Sequence, residues 1–167
     1  MGISKNDFDE LPELTRLVNK IAAINKEYAN QISEEIFQKQ PYFLTILLGY
    51  RLDTTALELE EIMKIYFLIW EYFRSNNNVQ TIKVSETSFE SSMQKHIEMM
   101  HYAEGESGQD AQMQIFSADL KELKSKALFT AILFQFNNIL VLNQMEKRKR
   151  GIILMNIKCF IMCFERL

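Results

Sequence analysis

The hydrophobic and polar positions of the chain follow a helical period along most of its length. The strongest segment is Ile62 to Phe73, which reads IMKIYFLIWEYF. Its two charged residues, Lys64 and Glu71, are seven positions apart and therefore fall close to one face of a helix. A helix that is apolar almost all round must be covered on most sides by other elements or by lipid. The pattern therefore predicts a helix over about residues 56 to 74 at the centre of a packed bundle.

The N-terminal part of the chain predicts two or three further helices. Asp9 is a good capping residue and Pro12 suits a first helical turn, so a long amphipathic helix is expected from about residue 10 as a cover for the core. Residues 30 to 33 either break this helix or lie within it; in the first case Ser33 starts a second helix. Pro41 predicts a new short helix, because proline is tolerated at a helix start and not in its interior. The apolar positions of the first segment are Leu14, Leu17, Val18, Ile21, Ile24, Tyr28, Ile32 and Ile36.

Capping residues predict where three later helices begin. Thr55 and Glu58 have the spacing of a capping box and open the central helix. Ser85 is expected to cap the following helix. Asn143 and Glu146 repeat the capping-box spacing and predict a last helix over about residues 144 to 166, which we expect to be the second central helix.

The segments between these helices are less regular. Residues 79 to 84 (VQTIKV) alternate like a strand, but they lack a partner strand and predict an extended connector. Residues 104 to 109 (EGESGQ) predict a loop, and Asp110 is expected to start another helix after it. Gly151, inside the last helix, either costs about 1 kcal/mol relative to alanine or marks a close contact between helices.

Two stretches of the chain resemble each other. Residues 33 to 50 and residues 119 to 136 align without gaps, with Phe43 over Phe129 and Ile46 over Ile132. A capping pair and a long apolar helix follow each of them. This suggests two repeated helical units, over residues 33 to 74 and 119 to 166, that bury their apolar sides against each other. The alternative is that two buried helical hairpins have converged on similar apolar patterns.

The composition fits one all-α domain. At 167 residues the chain can bury a substantial core, and its five glycines and two prolines supply few tight turns for a sandwich or barrel. We therefore expect a single-domain bundle of six to eight helices. Cys159 and Cys163 are four residues apart in an apolar helix, which predicts buried, reduced thiols and a cytoplasmic compartment. The opening residues MGISKNDFDE have no apolar core of a signal peptide, in agreement with that expectation.

Charge and segment length argue against nucleic-acid and membrane partners. The formal net charge is −3, whereas nucleic acid favours a basic surface. The two most apolar segments, residues 127 to 142 and 151 to 164, fall short of the about 20 apolar residues of a spanning helix and contain polar groups. Residues 147 to 150 (KRKR) form the densest charge run. They predict either a solvated turn or a contact with an acidic partner or a phosphate surface.

Motifs for chemistry are weak. Glu98 and His101 have the Glu-x-x-His spacing of di-iron bundles, but such a site needs a second pair, and the one further histidine, His96, does not share the face of His101. Glu58, Glu60 and Glu61 suit the positive end of the central helix dipole and need no catalytic explanation. We therefore predict no catalytic residue, no metal and no cofactor.

Two hypotheses for function follow, from different classes. In the first, the protein is a soluble, non-enzymatic interaction or regulatory module that binds a protein partner or a second copy of itself. In the second, it is a small-molecule-binding or enzymatic bundle with a pocket between helices. The candidate pocket or surface residues are Tyr66, Trp70, Phe73, Glu98 and His101, with Phe134 as a further aromatic of the pocket.

Overall fold

The computed structural model of the protein describes residues 5–105 and 121–167, and these residues form nine α-helices and no strand. The predicted all-α class is confirmed. Two of the nine helices, α5 and α8, are single turns, so the number of longer helices lies within the range expected. The helices are α1 (Lys5–Ala22), α2 (Lys26–Lys39), α3 (Pro41–Gly49), α4 (Ala56–Phe73), α5 (Asn77–Thr81), α6 (Glu86–Gly105), α7 (Lys126–Asn138), α8 (Leu140–Asn143) and α9 (Lys147–Arg166), with a 3-10 turn (Tyr50–Leu52) after α3.

Helices α4 and α9 lie at the centre of the bundle, as predicted. Every residue from Ile65 to Trp70 of α4 and from Ile157 to Phe164 of α9 is buried, so both helices are covered on all sides over these turns. Helix α1 packs against α4 and α7, whereas α6 packs along α9. Within the described ranges, no helix combines the length and the apolar character that crossing a membrane requires.

An aromatic cluster fixes how the central helices run. The Phe43 ring of α3 stacks on Tyr66 of α4 at 4.6 Å and meets Phe160 of α9 edge-on at 4.9 Å. Further along, Phe73 of α4 lies 5.4 Å from Phe164 of α9. Since residue numbers rise together in α4 and α9, these two helices run parallel, with their N-termini at the same end of the bundle.

Local sequence signals correctly placed several helix starts. Thr55 Oγ1 accepts a hydrogen bond from the Glu58 amide at 3.2 Å, and the Glu58 carboxylate accepts one from the Thr55 amide at 2.9 Å. The predicted capping box of α4 is therefore confirmed. Pro41 is the first residue of α3, and the Ser85 hydroxyl accepts a hydrogen bond from the Ser88 amide in the first turn of α6.

The first two helices begin elsewhere than predicted. Helix α1 begins at Lys5, so Asp9 is not its cap and Pro12 lies inside it. The break between α1 and α2 falls at residues 23 to 25, where Asn25 Oδ1 accepts a hydrogen bond from the Tyr28 amide. A break at residues 30 to 33 is wrong, because Ser33 donates to the Ala29 carbonyl and stays within α2.

Three later expectations are also corrected. Residues 77 to 81 form α5, capped by Asn76, so an extended connector over residues 79 to 84 is wrong in its first half. The cap of α9 is Glu146, whose carboxylate accepts the Arg148 amide, and Asn143 instead ends α8. A β-carbon at Gly151 would meet nothing within 4 Å, so this glycine does not mark a contact between helices.

The remaining predictions on the fold stay untested. The helix expected from Asp110 and most of the loop expected at residues 104 to 109 lie outside the described residues, although α6 extends to Gly105. In both proposed repeat units a short apolar helix, a single helical turn and a long helix follow one another. The burial of aligned positions differs, however, since Phe37 is exposed and its counterpart Leu123 is buried. The repeat remains a hypothesis.

Candidate functional site

The aromatic residues expected to line a pocket mostly fill the core instead. Tyr66 and Trp70 are completely buried, and Phe73 is nearly so. All three belong to the continuous hydrophobic cluster, with Tyr66 and Phe73 in ring contact with neighbouring aromatics. Phe134 is 66% exposed on α7 and does not line the interior, so its predicted place in a pocket is wrong.

A chain of buried hydroxyls crosses the core between α3, α4 and α9. The Tyr50 and Tyr66 hydroxyls are 2.8 Å apart, and Asn156 Nδ2 donates to the Tyr50 hydroxyl at 2.8 Å. Burial raises the pKa of Tyr50 to about 12, so this tyrosine stays neutral near pH 7. These contacts provide hydrogen-bond partners for Tyr50, Tyr66 and Asn156 and link the end of α3 to α9.

The sequence candidates for metal ligands are spread along α6. Glu98 is exposed, where Gln94 Nε2 donates to it. His101 lies in α6, but its side chain is outside the described residues. In the described part of the chain, no three histidine, cysteine or acidic side chains converge to hold a metal ion.

A second group of titratable side chains lies buried between α6 and α9. Lys158 is 4% exposed, and this burial lowers its pKa to about 8. Burial, and then the charge of Lys158, lowers the pKa of His96 to about 4. Burial also raises the pKa of the Cys159 thiol to about 11, which keeps it protonated and unreactive. The predicted reduced, buried state of Cys159 and Cys163 is what the structure shows.

Glu71 is the acceptor at the centre of a polar network that joins three helices. The Tyr28 hydroxyl of α2 donates to Glu71 Oε1, as do Lys20 Nζ of α1 at 3.3 Å and Arg74 Nη1 at 3.0 Å. The Glu71 side chain is 4% exposed. Burial raises its pKa, but the hydrogen bond from Tyr28 and the charges of Arg74 and Lys20 lower it by more. The carboxylate therefore stays ionised and fixes α1 and α2 against the C-terminal end of α4.

Beside this network, an open cleft of about 540 Å³ lies between α1 and the C-terminal end of α4. Its polar groups already pair with one another: the Tyr72 hydroxyl donates to Glu10 at 3.0 Å, and Arg16 binds both oxygens of Glu13 at 2.6 and 2.9 Å. A ligand entering the cleft would have to exchange these contacts for its own. The lining residues are Glu10, Glu13, Leu14, Arg16, Leu17, Glu71, Tyr72, Phe73, Arg74, Ser75 and Asn76.

Several exposed apolar side chains stand on segments that meet at the opposite end of the bundle. Three contacts hold this end together: Lys149 Nζ lies 3.7 Å from Glu58 Oε2, Asn156 binds Tyr50, and Arg150 Nη1 donates to the Asn143 carbonyl at 3.2 Å. These contacts bring together the end of α3, the 3-10 turn, the start of α4, the end of α8 and the start of α9. The exposed apolar residues on these segments, which we call the end surface, are Leu48, Leu52, Leu57, Leu140 and Ile152.

The end surface is both strongly apolar and strongly exposed. Leu52 is 82% exposed, and Leu140 and Leu57 are 67% and 64% exposed. Single exposed hydrophobic residues are normal, whereas a contiguous exposed apolar patch marks a site of interaction, and five such residues on neighbouring segments are the nearest approach to one in the described residues. The end surface is therefore the strongest candidate functional site in the described residues, and apolar periodicity alone did not reveal it.

Basic residues border the end surface. Arg51, Lys147 and Arg148 are exposed and form no ion pair within the described ranges. Lys147 and Arg148 stand in the first turn of α9, where the helix dipole disfavours positive charge. The sequence had identified this basic run, and the structure places it beside the exposed leucines.

Two glycines lie at the same end. Gly49 ends α3 and Gly151 stands in α9; both are exposed, and a β-carbon on either would meet nothing within 4 Å. A glycine within a helix costs about 1 kcal/mol relative to alanine. This cost applies to Gly151, which lies within α9, and nothing inside the described fold offsets it there. Gly49 is the last residue of α3, so the penalty of a helix interior does not apply to it.

Comparison of the chain with protein-family models, with curated proteins and with solved structures finds no match.

Proposed function

We propose that the protein is a non-catalytic interaction module that binds a protein partner through the end surface. The observation behind this proposal is the group of five exposed apolar side chains on segments that the contacts of Lys149, Asn156 and Arg150 hold together. Burying a leucine side chain contributes roughly 1.5–3 kcal/mol, so a partner that covers two or three of these residues gains substantial affinity.

Site-directed photocrosslinking in the cells that express the protein tests this proposal. A photoreactive phenylalanine analogue at Leu57 should give one discrete protein adduct, and Leu52→Asp in the same chain should abolish it. The analogue at Asn30 of α2 is a matched control, because the neighbouring Tyr28 binds Glu71 and so places this stretch at the other end of α4. An adduct that persists with Leu52→Asp, or that forms equally from Asn30, contradicts the proposal.

A homodimer is a distinct outcome of the same hypothesis. Sedimentation velocity separates it from a foreign partner: a second copy would give a concentration-dependent dimer that Leu52→Asp dissociates. With a foreign partner, the purified chain would be monomeric, and the mass of the crosslinked adduct would differ from that of a dimer.

The cleft between α1 and α4 favours a second candidate function, the binding of a small polar molecule. Tyr72, Arg16 and Glu10 offer both donors and acceptors there. A ligand-observed NMR screen would give hits that Tyr72→Phe and Arg16→Ala both weaken. Hits that neither variant affects, or that bind equally to the unfolded chain, would contradict this second function.

A further inference from the structure

We infer that the partner presents an acidic amphipathic helix, whose backbone approaches the end surface at Gly49 and Gly151. This inference rests on the proposed function and adds the chemistry of the partner. Three features of the same end support it: its charge, its glycines and its exposed leucines.

The charge of the end surface favours an acidic occupant. Residues 50–64 and 146–152 contain six cations and five carboxylates, an excess of one positive charge in a chain whose net charge is −3. Two of the carboxylates, Glu60 and Glu61, are paired with Lys64. Lys149 is engaged by Glu58, but Arg51, Lys147 and Arg148 are exposed without an ion pair in the described residues. The positive end of the α9 dipole adds to this field. Opposite charges across an interface steer association and select the partner.

The same charge argues against a second copy of the chain. A twofold axis through the end surface would place the basic run of one copy beside that of the other. Like charges brought together in this way oppose association. An acidic partner, by contrast, would be attracted by each cation that the fold leaves exposed.

The glycines favour a helix as the element that docks. Gly49 lies one residue after exposed Leu48, and Gly151 lies one residue before exposed Ile152, so both glycines stand on segments that carry the end surface. Where no side chain projects, the backbone of another element can approach closely. Neither glycine has a positive φ or an internal contact that requires it. An amphipathic helix combines leucines at three- and four-residue spacing with a polar face that carries acidic residues.

Two synthetic peptides test the inference directly. Both are helical, with leucines spaced three and four residues apart; one carries glutamates on its polar face and the other lysines. In fluorescence-anisotropy titrations the full chain should bind the glutamate peptide at least tenfold more tightly than the lysine peptide. The difference should shrink as salt is raised. Amide signals of residues 48–57 and 147–152 should shift in NMR spectra of the complex.

Glycine substitutions separate docking from folding. Gly151→Ala should raise Tm by about 2–4 °C in a chain of this size, because it removes the penalty of a glycine within a helix. The same change should nevertheless weaken the binding of the glutamate peptide at least threefold. Gly151→Leu should weaken it at least tenfold. The matched control, Asn30→Leu on α2, should leave binding unchanged. A loss of affinity in a more stable protein cannot result from unfolding.

Several outcomes would overturn the inference. Equal affinity for the two peptides, or binding unaffected by Gly151→Leu, excludes an acidic helix at this position. Adsorption to phosphatidylserine vesicles with no peptide binding would identify a lipid surface instead, and a dimer dissociated by Leu52→Asp would identify a second copy. If the adduct at Leu57 still depends on Leu52, the proposed function stands and this inference alone fails.

Discussion

Replacing Glu71 by glutamine should destabilise the fold by about 2 kcal/mol, although the change keeps the size of the side chain. Glu71 is almost fully buried and accepts hydrogen bonds from Tyr28, Lys20 and Arg74. The Lys20 and Arg74 side chains are 39% and 38% exposed, so water can replace the carboxylate as their partner. Each of these two ion pairs therefore contributes less than about 1 kcal/mol.

The hydrogen bond from the Tyr28 hydroxyl accounts for most of the expected loss of stability. A hydrogen bond to a charged acceptor contributes about 1.5–3 kcal/mol, roughly twice a neutral one. Glutamine still accepts from Tyr28 but without the charge, so about half of this contribution is lost. Together with the loss of the two ion pairs, this gives the estimate of about 2 kcal/mol. Glu71→Ala also empties the site and leaves the hydroxyl without its acceptor, so about 3–4 kcal/mol is expected.

Urea unfolding monitored by circular dichroism measures both variants. The matched control is Glu35→Gln, which removes only the 2.8 Å ion pair to Arg74 at the surface of α2 and should cost less than about 1 kcal/mol. A double-mutant cycle with Tyr28→Phe should give a coupling energy above about 1 kcal/mol. The explanation is refuted if Glu71→Gln unfolds within about 0.5 kcal/mol of the unchanged protein, or if the control costs as much.

The pH dependence of the free energy of unfolding tests the same role of Glu71 independently. The folded-state pKa of Glu71 lies below its ordinary value of 4.5, so the unfolded chain binds more protons between these two values. The stabilisation is therefore complete above pH 4.5 and is lost as the pH falls through the lowered pKa. The difference in stability between the unchanged protein and Glu71→Gln should therefore shrink as the pH falls below 4.5.

Three further predictions concern other buried polar groups. Gln40 Nε2 donates to two backbone carbonyls at 2.7 Å and its Oε1 accepts from the Val84 amide, so Gln40→Leu should cost about 3 kcal/mol and speed hydrogen exchange at Val84; unchanged exchange would contradict this role. The thiols of Cys159 and Cys163, whose pKa values burial raises, should react with a disulfide reagent near pH 8 only at the rate of unfolding, and fast reaction in the native protein would show them accessible. His96 should titrate near pH 4 by NMR in the folded protein. Because the unfolded chain takes up this proton near pH 6.5, the free energy of unfolding should fall as the pH falls from 6.5 to 4, and His96→Gln should remove that slope. A pKa near 6.5 for His96 would show that this side chain is not in a buried environment.

Features of the fold that depend on neighbouring residues could be predicted from the sequence. The capping box of Thr55 and Glu58 and the start of α3 at Pro41 each need only one turn of chain. The errors arose where two local signals competed. Glu146 caps α9 alone, although the spacing from Asn143 favoured a capping box, and Asn76 capped α5 where alternating residues favoured an extended chain.

The polar sites could not be predicted, because their members are far apart in sequence. Glu71 meets Lys20 and Tyr28, which precede it by 51 and 43 residues. Periodicity identified Glu71 as a charge on an apolar helix, but it could not supply its partners. The sequence also marks Gly151 as unusual, but only the structure shows that no helix of the described residues lies close to it.

The two ends of the central helices differ in how well their polar and apolar groups are satisfied, and this difference is the reason for placing the proposed function at the N-terminal end. At the C-terminal end of α4, Glu71 binds three donors and Arg74 binds both Glu71 and Glu35, so the end is fixed by paired groups. At the N-terminal end, exposed leucines, unneutralised cations and a glycine within α9 each disagree with the local rules of a stable fold. Such disagreements are expected where a protein works, because selection for a contact with another molecule can oppose selection for stability. A partner that covers the end surface would bury the leucines, neutralise the cations and occupy the space beside the glycines together.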